Sequence, residues 1–190
     1  VDINTRIALQ LKQLREERGW SIEHLAARTG VSRAMISRIE RAESSPTATV
    51  LNKLAIGIGT PITTLFGPGG SRQTRPPERN PVALRARQPE WRDPESGYRR
   101  KTLTPEGATP SMQLSEILLP AGCSMTFEDS RDAKDMQRQV WMLEGRLEIR
   151  AGAVLRQLVA GDCIVITEGG PATLRNPDSR KARCMVAATR

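Results

Sequence analysis

A chain of 190 residues with 29 Lys and Arg against 21 Asp and Glu carries a formal net charge of +8. That surplus favours polyanionic partners, although charge alone does not separate nucleic acid from an anionic membrane. No apolar run approaches the roughly 18 to 20 residues needed to cross a bilayer, and no charged-then-apolar leader opens the chain, so a cytoplasmic protein without a membrane partner is expected.

The length suits two small domains, and the basic surplus falls in residues 1–112. In chain order, Ser21 to Arg41 (SIEHLAARTGVSRAMISRIER) spells two short helices joined by a tight turn. Ser21 caps the first, with Glu23 and His24 in its opening turn and Leu25 and Ala26 on a small apolar face. Gly30 ends it, because glycine takes the left-handed conformation without a side-chain penalty. Val31 packs inward and Ser32 caps the second helix, where Ile36 and Ile39 recur at helical spacing. Arg33, Ala34, Ser37, Arg38 and Arg41 fall on other faces, which makes the outer surface basic and hydroxylated.

A helix of that kind fits the major groove of DNA. Arg can bond two acceptors on guanine, Ser can donate or accept, and Ala34 or Met35 can touch a thymine methyl. The plain alternative is a helical hairpin with a solvated charged face; the coincidence of turn glycine, cap and inward apolar triad favours the DNA reader. The expected contacts are Ser21, Ser32, Arg33, Ala34, Met35, Ser37, Arg38 and Arg41 within the motif Ile22 to Arg41. The two serines lie near phosphates by virtue of their helix N-termini. Downstream, ESSPT ends one helix and starts another, with Thr47 as cap ahead of Val50, Leu51, Leu54 and Ala55, and Thr60 and Pro61 open a last short helix to Phe66.

With LKQLREERGW before the motif and IERAESSPT after it, Leu11 to Phe66 resembles the Cro/lambda-repressor (XRE) class of DNA-binding domain. The resemblance implies an all-α domain of five helices over residues 1–66. It also implies that Arg15 pairs with Glu40, which removes both from the list of DNA contacts. Its partner is a double-stranded DNA operator, bound by a homodimer at half-sites about 34 Å apart.

Residues 67–97 are rich in Gly, Pro and Arg and lack apolar periodicity, which reads as a linker. Their arginines are read as solvated rather than laid along phosphate. From there to residue 190 short segments alternate with turn signals: QLSEILL, CSMTFE, VWMLEG, RLEIRA, VLRQLVAGD, CIVIT, ATLRN and RCMVAAT. About eight short strands predict a closed all-β sandwich or small barrel, so the fold class is α+β in two domains. Cys123, Cys163 and Cys184 sit in apolar strand contexts and read as buried small side chains; a thiol sensor is the alternative.

LPAG, WMLEGRLEI, LVAGDCIVI and ATLRNPDSRKARCMV make residues 98–190 similar to the cupin (jelly-roll) barrel, which implies a domain that senses a small molecule, dimerises, or both. Aligned on that family, Asp132 falls near a metal-binding histidine, Arg138 at its glutamate and Ala172 at its late histidine. The chain's single histidine, His24, belongs to the other domain. No metal, cofactor or catalysis is therefore expected. A guanidinium at Arg138 would favour a carboxylate- or phosphate-bearing effector; pairing with Asp132 or Asp135 is the competing reading. Asp132, Arg138, Trp141 and Ala172 form the candidate pocket. Two other readings stay open: a barrel that only dimerises or docks a partner, and an enzyme using Asp132, Glu128 or the cysteines as ligands.

Overall fold

In the computed structural model, which describes residues 2–60, 62–66, 82–105, 112–127, 137–166 and 171–189 (of Thr63 the backbone alone), helices precede strands. Ile7, Leu11 and Leu14 recur at helical spacing in α1 (Ile3–Glu17), whose Asp2 cap accepts from the Asn4 amide at 3.0 Å. Ser21 caps α2 (Ile22–Thr29) through the His24 amide at 3.1 Å, and Ser32 caps α3 (Arg33–Glu40) through the Met35 amide at 3.2 Å. Between them Gly30 stands at φ +67°, the left-handed turn its position requires. Thr47 caps α4 (Ala48–Ile58).

Ile7, Leu11, Leu25, Ile36, Leu51 and Leu54 are fully excluded from solvent and form one core. Among the described residues four helices have eight residues or more; the fifth, expected as a last short helix to Phe66, is a single turn, α5 (Ile62–Leu65). Four residues make only the first turn of a helix, so packing rather than propensity holds it in place.

Among the described residues ten strands follow: β1 (Glu90–Arg92), β2 (Arg99–Thr102), β3 (Met112–Leu119), β4 (Ser124–Phe127), β5 (Arg138–Glu144), β6 (Arg146–Ala151), β7 (Val154–Val159), β8 (Cys163–Ile166), β9 (Ala172–Arg175) and β10 (Ala182–Thr189). They form one sheet in the order β1-β2-β3-β10-β5-β8 and another in the order β4-β9-β6-β7, with every pairing antiparallel. Strands β3 to β10 alone give 3-10-5-8 over 4-9-6-7, the jelly-roll order that cupins use. All eight strand segments expected from the sequence are present.

The first sheet gains β1 and β2. β1 arises where a linker was expected and β2 just past its end: residues 67–81 lie outside the described residues, but Arg85–Arg87 make one turn of 3-10 helix and Glu90–Arg92 pair with β2. Composition hid this, because Trp91 supplies the apolar anchor alone. It is buried, with its ring centroid 5.4 Å from Phe66 and 5.9 Å from Tyr98. Beside it the buried Asp93 accepts the Ala48 amide at 3.0 Å, so a residue leading into the barrel satisfies the N-terminus of α4.

Candidate nucleic-acid interface and barrel cavity

The α2–α3 turn presents its polar face outward because Ile36 and Ile39 point into the core. Ser21, Ser32, Arg33, Ala34, Arg38 and Arg41 are exposed, while Met35 and Ser37 are half-buried. An open depression lined by Arg15, Ile22, Glu23, Arg33, Ala34 and Ser37 runs between the two helices.

Two of the arginines are held by acids. Arg33 Nη1 lies 3.3 Å from Glu23 Oε1. Arg41 donates to both Glu43 oxygens at 2.7 and 2.8 Å, and to Ser37 Oγ at 2.6 Å. The amide at the start of α2, then the Ser21 hydroxyl, then Arg33 hold the Glu23 carboxyl below its usual range. Arg41 does the same for Glu43. The Glu23–Arg33 tether spans ten residues and two helices, so no local pattern announces it.

Arg15 and Glu40 meet as the first resemblance implies. Nε and Nη2 of Arg15 donate to the two Glu40 oxygens at 2.7 and 2.8 Å, and Nη1 donates to the Trp20 carbonyl at 2.9 Å. With both side chains shielded from water, this fork ties α1 to the end of α3 and sets the angle of the outer face.

The barrel interior holds a cavity of about 20 Å³. Of the four candidate pocket residues, Arg138 and Ala172 line it. Asp132 lies outside the described residues. Trp141 is placed elsewhere: Val140 and Met142 point inward, so strand alternation turns Trp141 to the outer face, where it is 48% exposed. The same alternation corrects the reading of Cys163, which is exposed on β8 while Cys123 and Cys184 are buried.

No local pattern singles out Arg100, which joins Arg138 on the cavity wall. Two guanidiniums and an apolar remainder do not fit the metal cation that cupins of the enzyme type hold, and no histidine lies in the barrel.

Residues 11–65 match the helix-turn-helix family HTH_3. The HTH-type transcriptional regulator SutR of Escherichia coli (strain K12) is 52% identical over 62 residues, which are 33% of this chain and 35% of that protein. The alignment thus spans about a third of the relative's length. An HTH_3 family transcriptional regulator from Vibrio cholerae is similar over 99% of this chain and 97% of its own, at 26% identity and a TM-score of 0.71. The Cupin_2 domain of an XRE family transcriptional regulator from Enterobacter cloacae covers 49% of this chain and 96% of its own, at 19% identity and a TM-score of 0.45. With the capped α2–α3 turn and the Arg15–Glu40 fork already in place, residues 11–65 match the helix-turn-helix HTH_3 family, and in this chain that helical domain is followed by a jelly roll.

Proposed function

We propose that the protein is a sequence-specific transcriptional regulator of the bacterial cytoplasm that reads DNA with α3 and whose barrel senses a small molecule, dimerises, or both. The observation that carries the reading is the outward face of α3. Ser32 and Ser21 sit at helix N-termini suited to phosphates, and Arg33, Ala34, Met35, Ser37, Arg38 and Arg41 face or flank the groove.

In the free protein Arg33 pairs with Glu23 at an exposed surface, a weak tether that contact with a base would exchange. Arg33→Ala should weaken binding to the specific site by about 1–3 kcal/mol more than to random DNA, by fluorescence anisotropy at fixed salt. An equal loss on both would make Arg33 a phosphate contact. Genome-wide mapping of bound sites tests the reading as a whole; binding without sequence preference would overturn it.

A regulator of this type reads two half-sites, so a homodimer belongs to the proposal. The outer face of β3-β10-β5-β8 carries the exposed Met112, Leu114, Trp141 and Val165, with Met185 paired across from Trp141. A second copy would cover it, and Trp141→Lys should shift the mass in light scattering toward monomer.

No catalytic role is proposed: the cavity wall is cationic, and the similarity that spans the whole chain at a TM-score of 0.71 is to a transcriptional regulator. Stoichiometric metal in purified protein would revive the enzyme reading. The cavity volume of about 20 Å³ favours a second reading, in which the barrel only dimerises and no effector exists.

A further inference from the structure

The barrel interior leaves about 20 Å³, so a small molecule that the barrel senses needs a site on its outside. The outer face of the first sheet has one. A groove of about 410 Å³ crosses β1, β2, β3, β10 and β5, within the roughly 300–1,000 Å³ of small-molecule sites.

Strand register fixes what the groove offers, because residues directly opposite one another share a face. In one rung Leu118 stands between Arg99 and Arg183, and Arg183 in turn faces Glu144. In the next rung of the same face Lys101 stands between Glu90 and Glu116. Lys181, two residues ahead of Arg183, and Arg85, in the 3-10 turn before β1, complete the lining. Five cations thus meet three carboxylates, a surplus of two positive charges.

The carboxylates are all engaged. Glu90 lies 3.4 Å from both Arg99 and Lys101, and Arg183 lies 3.0 Å from Glu116 and 3.5 Å from Glu144. Lys181 and Arg85 are exposed, and their side chains have no ion pair or hydrogen bond among the described residues. The ion pairs beside them are open to water and weak, so a guest can rearrange them at small cost.

The surplus matches one phosphate monoester, which carries about −1.5 to −2 at neutral pH. Among the described residues Leu118 is the single apolar member of the lining and no aromatic ring belongs to it, so the groove has no platform for a nucleobase or a lipid tail. Its carboxylates accept hydrogen bonds, and a guest rich in hydroxyls supplies them.

We propose that this groove binds a phosphorylated sugar or polyol. The phosphate lies over Leu118 and accepts from Lys181, Arg99 and Arg183, while hydroxyls donate to Glu116 and Glu90, with Arg85 at the far end. Forked guanidiniums suit phosphate oxygens, and Lys181 acts as a point charge. Glu116 faces Met185 in register and Met185 faces Trp141, so the groove opens beside the apolar face proposed above to hold a second copy. The proposal gives the sensor reading a ligand class and rests on that reading only for the effect on DNA.

The test is isothermal titration calorimetry of the full chain with glucose-6-phosphate and mannitol-1-phosphate, against glucose and sodium phosphate at matched ionic strength. Saturable binding of at least one of the two esters is expected, weakened about tenfold or more in Lys181→Gln and in Arg183→Gln. Both side chains reach solvent, so neither change opens the core. Arg156→Gln on β7 of the other sheet removes the same charge and should leave binding unchanged.

No saturable binding of either ester overturns the site, as does undiminished binding in both groove variants. An equal loss in Arg156→Gln reduces the effect to net charge and overturns it too. Equal affinity for inorganic phosphate or for glucose overturns the ligand class. Operator binding is followed separately by fluorescence anisotropy. If an ester binds through Lys181 and Arg183 but operator affinity does not change, the site stands and the sensor reading falls; if the ligand-free chain binds no specific DNA, the regulator reading falls and the site stands.

Discussion

Single side chains divide here into those that hold the reader in shape and those left to act. Arg15 and Glu40 belong to the first group, and removing one leaves the other shielded and unpaired. Arg15→Met should cost about 3 kcal/mol of stability in urea denaturation; a loss under about 1 kcal/mol would mean that water reaches Glu40 and the fork is ornamental. Glu23 and Glu43 are exposed, and their contribution has a definite sign with pH. Their folded carboxyls titrate below the usual range, so whatever stability they add is complete above that range and fades as pH falls through their lowered values. The thiols split cleanly: burial keeps Cys184, and to a lesser degree Cys123, protonated, whereas Cys163 faces solvent. Iodoacetamide at pH 8 should label the native chain once, at Cys163, by peptide mass mapping. Rapid labelling of Cys184 would show that β10 opens.

At the scale of elements, close approach decides the helical packing. A Cβ added at Gly57 in α4 would stand 2.3 Å from the Thr29 methyl on α2, and Thr29 is fixed by its own bonds to the Leu25 carbonyl and the Val31 amide. Gly57→Ala should therefore cost about 1–3 kcal/mol in thermal or chemical denaturation, against the gain that alanine normally brings to a helix. Because Thr29 also fixes the turn ahead of α3, the same substitution should lower operator affinity. In the barrel, Asn176 has an equivalent role. Fully buried, its amide donates to the carbonyls of Leu119, Pro120 and Arg180, which closes the end of the jelly roll between β3 and β9. Nothing in RNPD marks it as more than a turn, since its partners lie up to 57 residues away.

For the molecule as a whole, the question is whether reader and barrel move as one. Phe66, Trp91 and Tyr98 touch in a row of tilted and edge-on rings, Arg100 lies against Phe66, and Asp93 caps α4 from the barrel side. Trp91→Ala should remove about 3–5 kcal/mol and separate one unfolding transition into two, followed by circular dichroism; a single, unshifted transition would falsify a coupling role for this row. Much was legible beforehand because it is local. Caps, turn glycines and helical spacing placed α2 to α4, and short segments between turn signals placed β3 to β10, since each depends on neighbours a few residues apart. What sequence left open depends on distant residues meeting. The linker gained a strand because one tryptophan found a buried slot, and Trp141 left the candidate pocket because the register of β5 put Val140 and Met142 inside. The sequence by itself determined a capped, basic reading helix and a jelly roll without histidine ligands. Only the tertiary structure brought Arg100 to Arg138 and Ile62 to both, because burial and charge pairing are properties of the folded neighbourhood and not of any one stretch of chain.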